Sequence, residues 1–389
     1  MNTSVTEHIE SYLKEHVEEM FLFLKQLVRF ESPSTDPLSQ SGIIEFLNEN
    51  LESLGYYTKH IPGVKTGGVF YARPLDKVKD LPVQLLIGHC DTVWKKSTLK
   101  TMPIKETEDR ISGPGVFDMK AGITQMIFAI RALRSLGLHC PLTPVILINT
   151  DEEIGSFESV RAIRRLSKIA RRAYILEPPL GFEGKLKTAR KGIGKFTLKV
   201  RGKSAHAGLN PEKGVSAIVE LSYHIQQLYA LNDFERGITV NVGMIQGGSS
   251  ANVIAEESMA VVDVRVHNME DATYIQNEIL KLTPKYKGTT LEIEGGFGRP
   301  PMEKTSRNQR LWKMARDIGK KMNLDLQEST AGGGSDGNTT SQYTATLDGL
   351  GTTGDGAHAR HEFIFKEKLL ERTTLLTMLL MAEDIKNET

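Results

Sequence analysis

The sequence reads as an α/β protein with a largely parallel mixed sheet, interrupted by an inserted ferredoxin-like α+β domain. Three observations lead there. The strand-length runs "VQLLIGH" (83–89), "VILINT" (145–150) and "AYILEPP" (173–179) are apolar along their length rather than alternating, as in strands buried on both faces. Segments of helical period lie between them, the pattern of parallel β-α units. From about Lys191 the rhythm changes to β-α-β-β-α-β, the ferredoxin-like order.

The elements follow in order. An amphipathic helix spans roughly 6–30, and a second, "GIIEFLNENLESLGY" (42–56), stops at Gly55. After the first apolar strand and a Gly/Pro-rich loop, "AGITQMIFAIRALRSLG" (121–137) lines up Ile123, Ile127, Ile130 and Leu133 on one face and ends at Gly137. In the insertion, "KFTLKVRG" reads as a strand and "GVSAIVELSYHIQQLYAL" as a helix. "ITVNVGMIQGG" and "SMAVVDVRVH" read as strands, "MEDATYIQNEILKL" as a helix and "TTLEIEGG" as a strand. "GRPPM" marks the exit. A helix, the glycine-rich "AGGGSDGN", a short strand near "ATLDGLG", a loop and a last helix complete the chain. The expected organisation is a discontinuous domain, 1–190 and 301–389, with 191–300 inserted.

Composition narrows the function. A chain of 389 residues exceeds what one hydrophobic core usually serves. Lys plus Arg number 49 against 48 Asp plus Glu, which gives no general attraction to nucleic acid or anionic membrane. The basic run "RRLSKIARR" (164–172) lacks interleaved aromatics and reads as a solvated helix face. Two cysteines, Cys90 and Cys140, exclude a disulfide framework and a Cys-x-x-Cys zinc site. The N-terminal stretch has no signal-peptide pattern, and no apolar run of about 18 residues could span a membrane, so a cytoplasmic protein is expected. "GIGKFT" (192–197) fails the phosphate-loop spacing, because Phe196 follows Lys195 and a strand follows both.

The chemistry-bearing residues gather at strand ends. In "GHCDTV", His89 and Asp91 share a strand face while Cys90 points away, and an imidazole beside a carboxylate is a usual metal-site pair. "GPGVFDMKAG" puts Asp118 in a turn before a helix, where it reads either as a cap or as a ligand. "LINTDEEIGS" delivers Asp151, Glu152 and Glu153 to the carboxyl end of a strand, where open α/β sheets bind ligands. "ILEPP" supplies Glu177 in the same way. "GDGAHARHEF" offers His358, His361 and Glu362, with either histidine a possible ligand. Two histidines with three or four carboxylates suit zinc or a similar divalent ion, and carboxylate beyond one ion's needs suggests two metals sharing a bridge.

In this order the motifs resemble the di-zinc carboxypeptidases and deacylases typified by glutamate carboxypeptidase, acetylornithine deacetylase and succinyl-diaminopimelate desuccinylase. The resemblance is carried by "GHCDTV", "GVFDMKAG", "DEEIGS", "EP", "GKSAHAG" and "GAHARHE", spread over nearly the whole chain. It implies a zinc-exopeptidase catalytic domain and an inserted lid and dimerisation domain. It also implies two zinc ions, which cobalt or manganese could replace. Asp118 would bridge them, with His89 and Glu177 on one and Glu153 and His358 on the other. The H-x-x-x-E spacing to Glu362 selects His358 over His361. Asp91 would orient His89, and Glu152 would act as general base. His206 would stabilise the tetrahedral oxyanion in the partner subunit of a homodimer.

Asn252, Arg265 and the glycine loop around Gly333 match the family's substrate-side segments, an Arg fork suiting a terminal carboxylate. Ala255 and Asn338 depart from common family residues at their positions. The implied activity is glutamate carboxypeptidase-like hydrolysis of an amide beside a free carboxylate, on a small peptide or N-acyl amino acid. An N-acyl-amino-acid deacetylase and a di- or tripeptidase are the alternatives within the family. A di-metal phosphoesterase and a non-catalytic binding protein are the rivals outside it.

Overall fold

A computed structural model describes residues 3–76 and 81–384. The chain divides into two compact units. One comprises 1–188, 304–331 and 335–389, and the other 189–303 and 332–334.

The first unit is built on a six-stranded mixed sheet. Its order is Tyr56–Ile61, Val69–Pro74, Thr143–Asn149, Val83–His89, Ala170–Ile175, Ala345–Leu347. The last four run parallel, and the first two join antiparallel. Every residue of Val83–His89 and Thr143–Asn149 is buried, which is why neither sequence alternates. Helix Ala121–Ser135 packs so closely that a Cβ on Gly122 would lie 2.1 Å from the Leu176 carbonyl oxygen. The glycine in "KAG" is therefore a packing requirement. The expected first helix is two, Thr3–Glu15 and Val17–Arg29, broken at His16, whose ring bonds back to the Tyr12 carbonyl.

Sequence reading passed over at least two features of this unit. One is the hairpin 56–74. Another is a small sheet ordered Gly354–Asp355, Phe363–Phe365, Arg110–Ser112, Lys105–Glu106. Its strands are two or three residues long, too short to show a period.

The second unit has the β-α-β-β-α-β order, with antiparallel strands arranged Thr239–Gly247, Glu257–Val266, Gly192–Arg201, Thr290–Arg299. Alternation sets its core: Phe196, Leu198 and Val200 pack with Val262, Val264 and Val266 beneath helices Ala217–Tyr229 and Met269–Leu280. Ser216 and Asn268 cap those helices by accepting the Val219 and Asp271 amides, worth about 1 kcal/mol each. Among the described residues, no helix is long and apolar enough to cross a membrane.

Candidate metal centre

Three parallel strands end side by side in the first unit. His89 closes one and registers with Asn149 of the next, while Ile87 registers with Ile175 of the third. The chain then turns, so His89, the 150–153 segment and Glu177 emerge at one edge. The irregular turn Val116–Lys120 brings Asp118, with a cis peptide to Met119, and the loop after Gly354–Asp355 brings His358 in a left-handed conformation (φ 60°).

The two oxygens of Asp118 face different partners. Oδ1 lies 3.3 Å from His89 Nε2, which is itself 3.5 Å from Glu177 Oε1. Oδ2 lies 3.5 Å from His358 Nε2, which is 3.0 Å from Glu153 Oε2. Ligand atoms of Glu152, His89 and Glu177 fall within 4.8 Å of one another, as do those of His89, Asp118 and Glu153. His89, Asp118, Glu153, Glu177 and His358 are thus all brought together. His361 is exposed, and among the described residues its ring pairs with Asp355 alone, at 4.0 Å.

The donor set fits divalent cations. His89 Nδ1 is 3.0 Å from the Asp91 carbonyl oxygen, a bond that makes Nδ1 the N–H and turns the Nε2 lone pair toward two carboxylates. A positive charge at Nε2, whether a proton or a metal ion in its place, is what makes that arrangement favourable. Two donors on one tetrahedral zinc stand about 3.4 Å apart, close to the spacings around Asp118. The electrostatics agree. Burial alone would disfavour a charged His89, yet Asp118, Asp91 and Glu177 outweigh it and raise its pKa well above the ordinary value. Burial likewise opposes ionisation of Asp118, but His358 and His89 hold its carboxyl well below the carboxylate range. Asp118 and Glu153 lift His358 to about 10.

Asp91 does more than face His89. Its Oδ1 is 3.4 Å from His89 Nδ1 and accepts the Glu152 amide at 3.2 Å. Its Oδ2 accepts the Glu153 amide at 3.2 Å and the Ser34 hydroxyl at 2.6 Å. One buried carboxylate therefore sets the backbone of both glutamates. Asp151 turns the other way and accepts the Glu158 and Ser159 amides, supporting the turn into helix Val160–Ser167.

Sequence reading missed three supporting residues: Ser34, Asp336 and Glu362 in its structural role. Asp336 takes the Asn149 side-chain amide at 2.6 Å and the Ser156 hydroxyl at 2.5 Å. The "SDGN" motif could have flagged Asp336, but its partners lie 180 or more positions away and leave no local pattern.

The remaining candidates lie in the second unit. His206 is exposed, with Nδ1 accepting the Gly208 and Leu209 amides at 3.1 Å each. Its strand-like bridge to Val253 and the Ala207 amide bond to the Asn252 carbonyl set it beside Asn252. Arg265 sits near the other end of strand Glu257–Val266, and its guanidinium holds Asp263 through two bonds of 2.8 and 2.9 Å. The Gly333 carbonyl accepts from Arg190 Nη1 at 3.2 Å. This unit thus joins His206 to Asn252 but does not bring Arg265 to them.

A family model described as a peptidase dimerisation domain matches residues 188–291. Carboxypeptidase G2 of Pseudomonas sp. (strain RS-16) is 27% identical over 370 residues, covering 92% of this chain and 88% of that protein. The crystal structure of aminopeptidase PepT from Bacillus cereus superposes with a TM-score of 0.79 at 22% identity, covering 94% of this chain and 98% of that one. The YXEP protein of Bacillus subtilis, a dinuclear metal-binding peptidase of the M20 family, gives 0.67 at 14% identity, over 95% and 98%.

Proposed function

We propose that this chain, a member of the metallopeptidase and deacylase family that includes carboxypeptidase G2, is a di-metal exopeptidase cleaving an amide beside a free carboxylate. The observation that carries the reading is Asp118, each oxygen of which faces its own histidine, with a second carboxylate beside each histidine. His89, Asp118 and Glu177 would hold one ion, and Asp118, Glu153 and His358 the other. Zinc is the proposed metal, and cobalt or manganese also suits the donors.

When bound, such ions polarise a carbonyl and bring the acidity of water toward neutrality. The chain's own residues do the rest. Glu152, grouped with His89 and Glu177 but claimed by no ion in this assignment, takes a proton from the attacking water and gives it to the leaving amine nitrogen. Asp91 holds Glu152 in place through its amide. His206 is the proposed hydrogen-bond donor to the tetrahedral oxyanion. Asn252, Arg265 and the Gly333 loop are the proposed substrate contacts, with Arg265 exchanging Asp263 for the substrate carboxylate.

A homodimer is proposed from the dimerisation-domain match. Two unpaired cysteines support a reducing, cytoplasmic setting.

The test is a panel of peptides, acylglutamates and acetylated amino acids, with amidated controls and phosphodiesters, assayed with and without chelator. Turnover should require the free carboxylate, vanish with chelator and return with zinc. Turnover confined to phosphodiesters, or none by the metal-loaded protein, overturns the reading.

A further inference from the structure

Asp118 stands on the turn after strand Arg110–Ser112, whereas His358 stands on the loop before strand Phe363–Phe365. These two strands pair antiparallel, Phe363 opposite Ser112, so their register sets Glu362 beside Gly113. The Gly113 amide duly bonds to the Glu362 carbonyl, at 3.2 Å.

From there the Glu362 carboxylate turns into the Asp118 turn and is almost fully buried. Oε1 accepts the amides of Phe117 (2.9 Å) and of Asp118 itself (3.1 Å). Oε2 accepts the Gly115 amide (2.8 Å) and the Trp94 indole N–H (2.9 Å). Gly115 is left-handed (φ 72°), and a Cβ there would press to 2.6 Å on Thr92 Cγ2, so the turn that offers its amide to the carboxylate takes glycine at this position. Four N–H groups converge on one side chain that touches no reacting group.

We propose that Glu362 is a positioning residue of the metal centre. By gripping the turn that carries Asp118 from the loop that carries His358, it fixes the distance between these two ligands before any ion arrives. This rests on the two-metal reading. Partners of this kind typically change metal affinity or activity 10- to 100-fold when removed.

Glu362→Gln tests it. The amide keeps the size, but whichever way it turns, its NH2 faces two N–H donors. Cobalt affinity, measured by chelator competition, and the absorption bands of bound cobalt are read alongside the melting temperature of the metal-free protein. The expected result is cobalt affinity weakened about 10- to 100-fold, with altered bands and a folded metal-free protein. Unchanged affinity and bands overturn the proposal, as does a lowered melting temperature with metal binding intact.

If Glu362→Gln does not fold, Trp94→Phe removes one donor and leaves the carboxylate. A smaller weakening of cobalt binding then supports the proposal, and none overturns it. Two cobalt ions bound by a wild type that cleaves nothing would overturn the peptidase reading and leave this one standing. Turnover by the wild type with cobalt binding unmoved in both variants would do the reverse.

Discussion

The two units hold their candidate residues in opposite ways. In the first, His89, Asp91, Asp118, Glu152, Glu153 and Glu177 are largely buried while His358 is half exposed, and Asp91 and Glu362 between them accept six backbone or side-chain N–H groups around the centre. In the second, His206 and Asn252 are exposed on loops, and Arg265 is satisfied by its own neighbour Asp263. Burying so many carboxylates is costly without cations, so the first arrangement carries its function in its energetics. The second is stable as it stands and implies little about a ligand.

The largest effect that separates the units is expected at Glu152. Glu152→Gln should lower kcat by roughly 10^2- to 10^4-fold, the span for a lost general base, while both metals stay bound by elemental analysis. Loss of metal with activity would instead make Glu152 a ligand. His206→Ala should follow, at roughly 10^2- to 10^3-fold in kcat, the effect of removing one oxyanion donor, with KM and metal content little changed. A change confined to KM would move His206 from the transition state to substrate binding.

This contrast also explains what the sequence disclosed. The candidate ligands His89, Glu153 and Glu177 were legible because parallel strands end in register: His89 closes its strand, and Glu177 and Glu153 follow theirs by two and four residues. "VQLLIGH", "VILINTDEE" and "AYILE" carry that geometry in one dimension. The insertion was legible for a similar reason, since its alternation maps directly onto one buried sheet face. The supports were not. Glu362 acts on residues about 250 positions earlier and Asp336 on residues about 180 earlier, contacts that only a register between distant strands creates. Arg265 was legible as a charge on a strand, but its pairing with Asp263, two residues away on the same face, removes the vacancy that made it attractive.

Stability offers a sharper test of the second unit. A heavily bonded acid there is Glu220, buried on helix Ala217–Tyr229. Glu220 accepts the Lys285 and Tyr286 amides at 2.8 Å, the Thr289 hydroxyl at 2.9 Å and a bond with His224 at 2.6 Å. Burial works against its charge, but these donors outweigh it and lower its pKa below the ordinary value. A depressed folded pKa stabilises fully above the unfolded value and is lost as pH falls through the folded one. Glu220→Ala should therefore destabilise this unit by about 1–3 kcal/mol at neutral pH, the cost of leaving buried donors unsatisfied. The difference from wild type in urea unfolding should shrink as pH drops below about 4.3. A difference independent of pH would assign the loss to packing.

The smallest effect is expected at Arg265. If its guanidinium exchanges Asp263 for a substrate carboxylate, one fork-to-carboxylate pair replaces another of the same kind, and the gain is only the difference between them. Partly exposed pairs are worth about 0.2–1 kcal/mol, so Arg265→Ala should raise KM by less than about sixfold and leave kcat unchanged. Asp263→Asn is the complementary variant. It frees the fork without removing it, so KM for substrates with a free carboxylate should fall slightly while amidated controls stay put. A hundredfold rise in KM in Arg265→Ala would show that the arginine abandons Asp263 for a fully desolvated clamp. Unchanged KM in both variants would make the Arg265–Asp263 pair a feature of the sheet surface and leave recognition of the carboxylate to other residues.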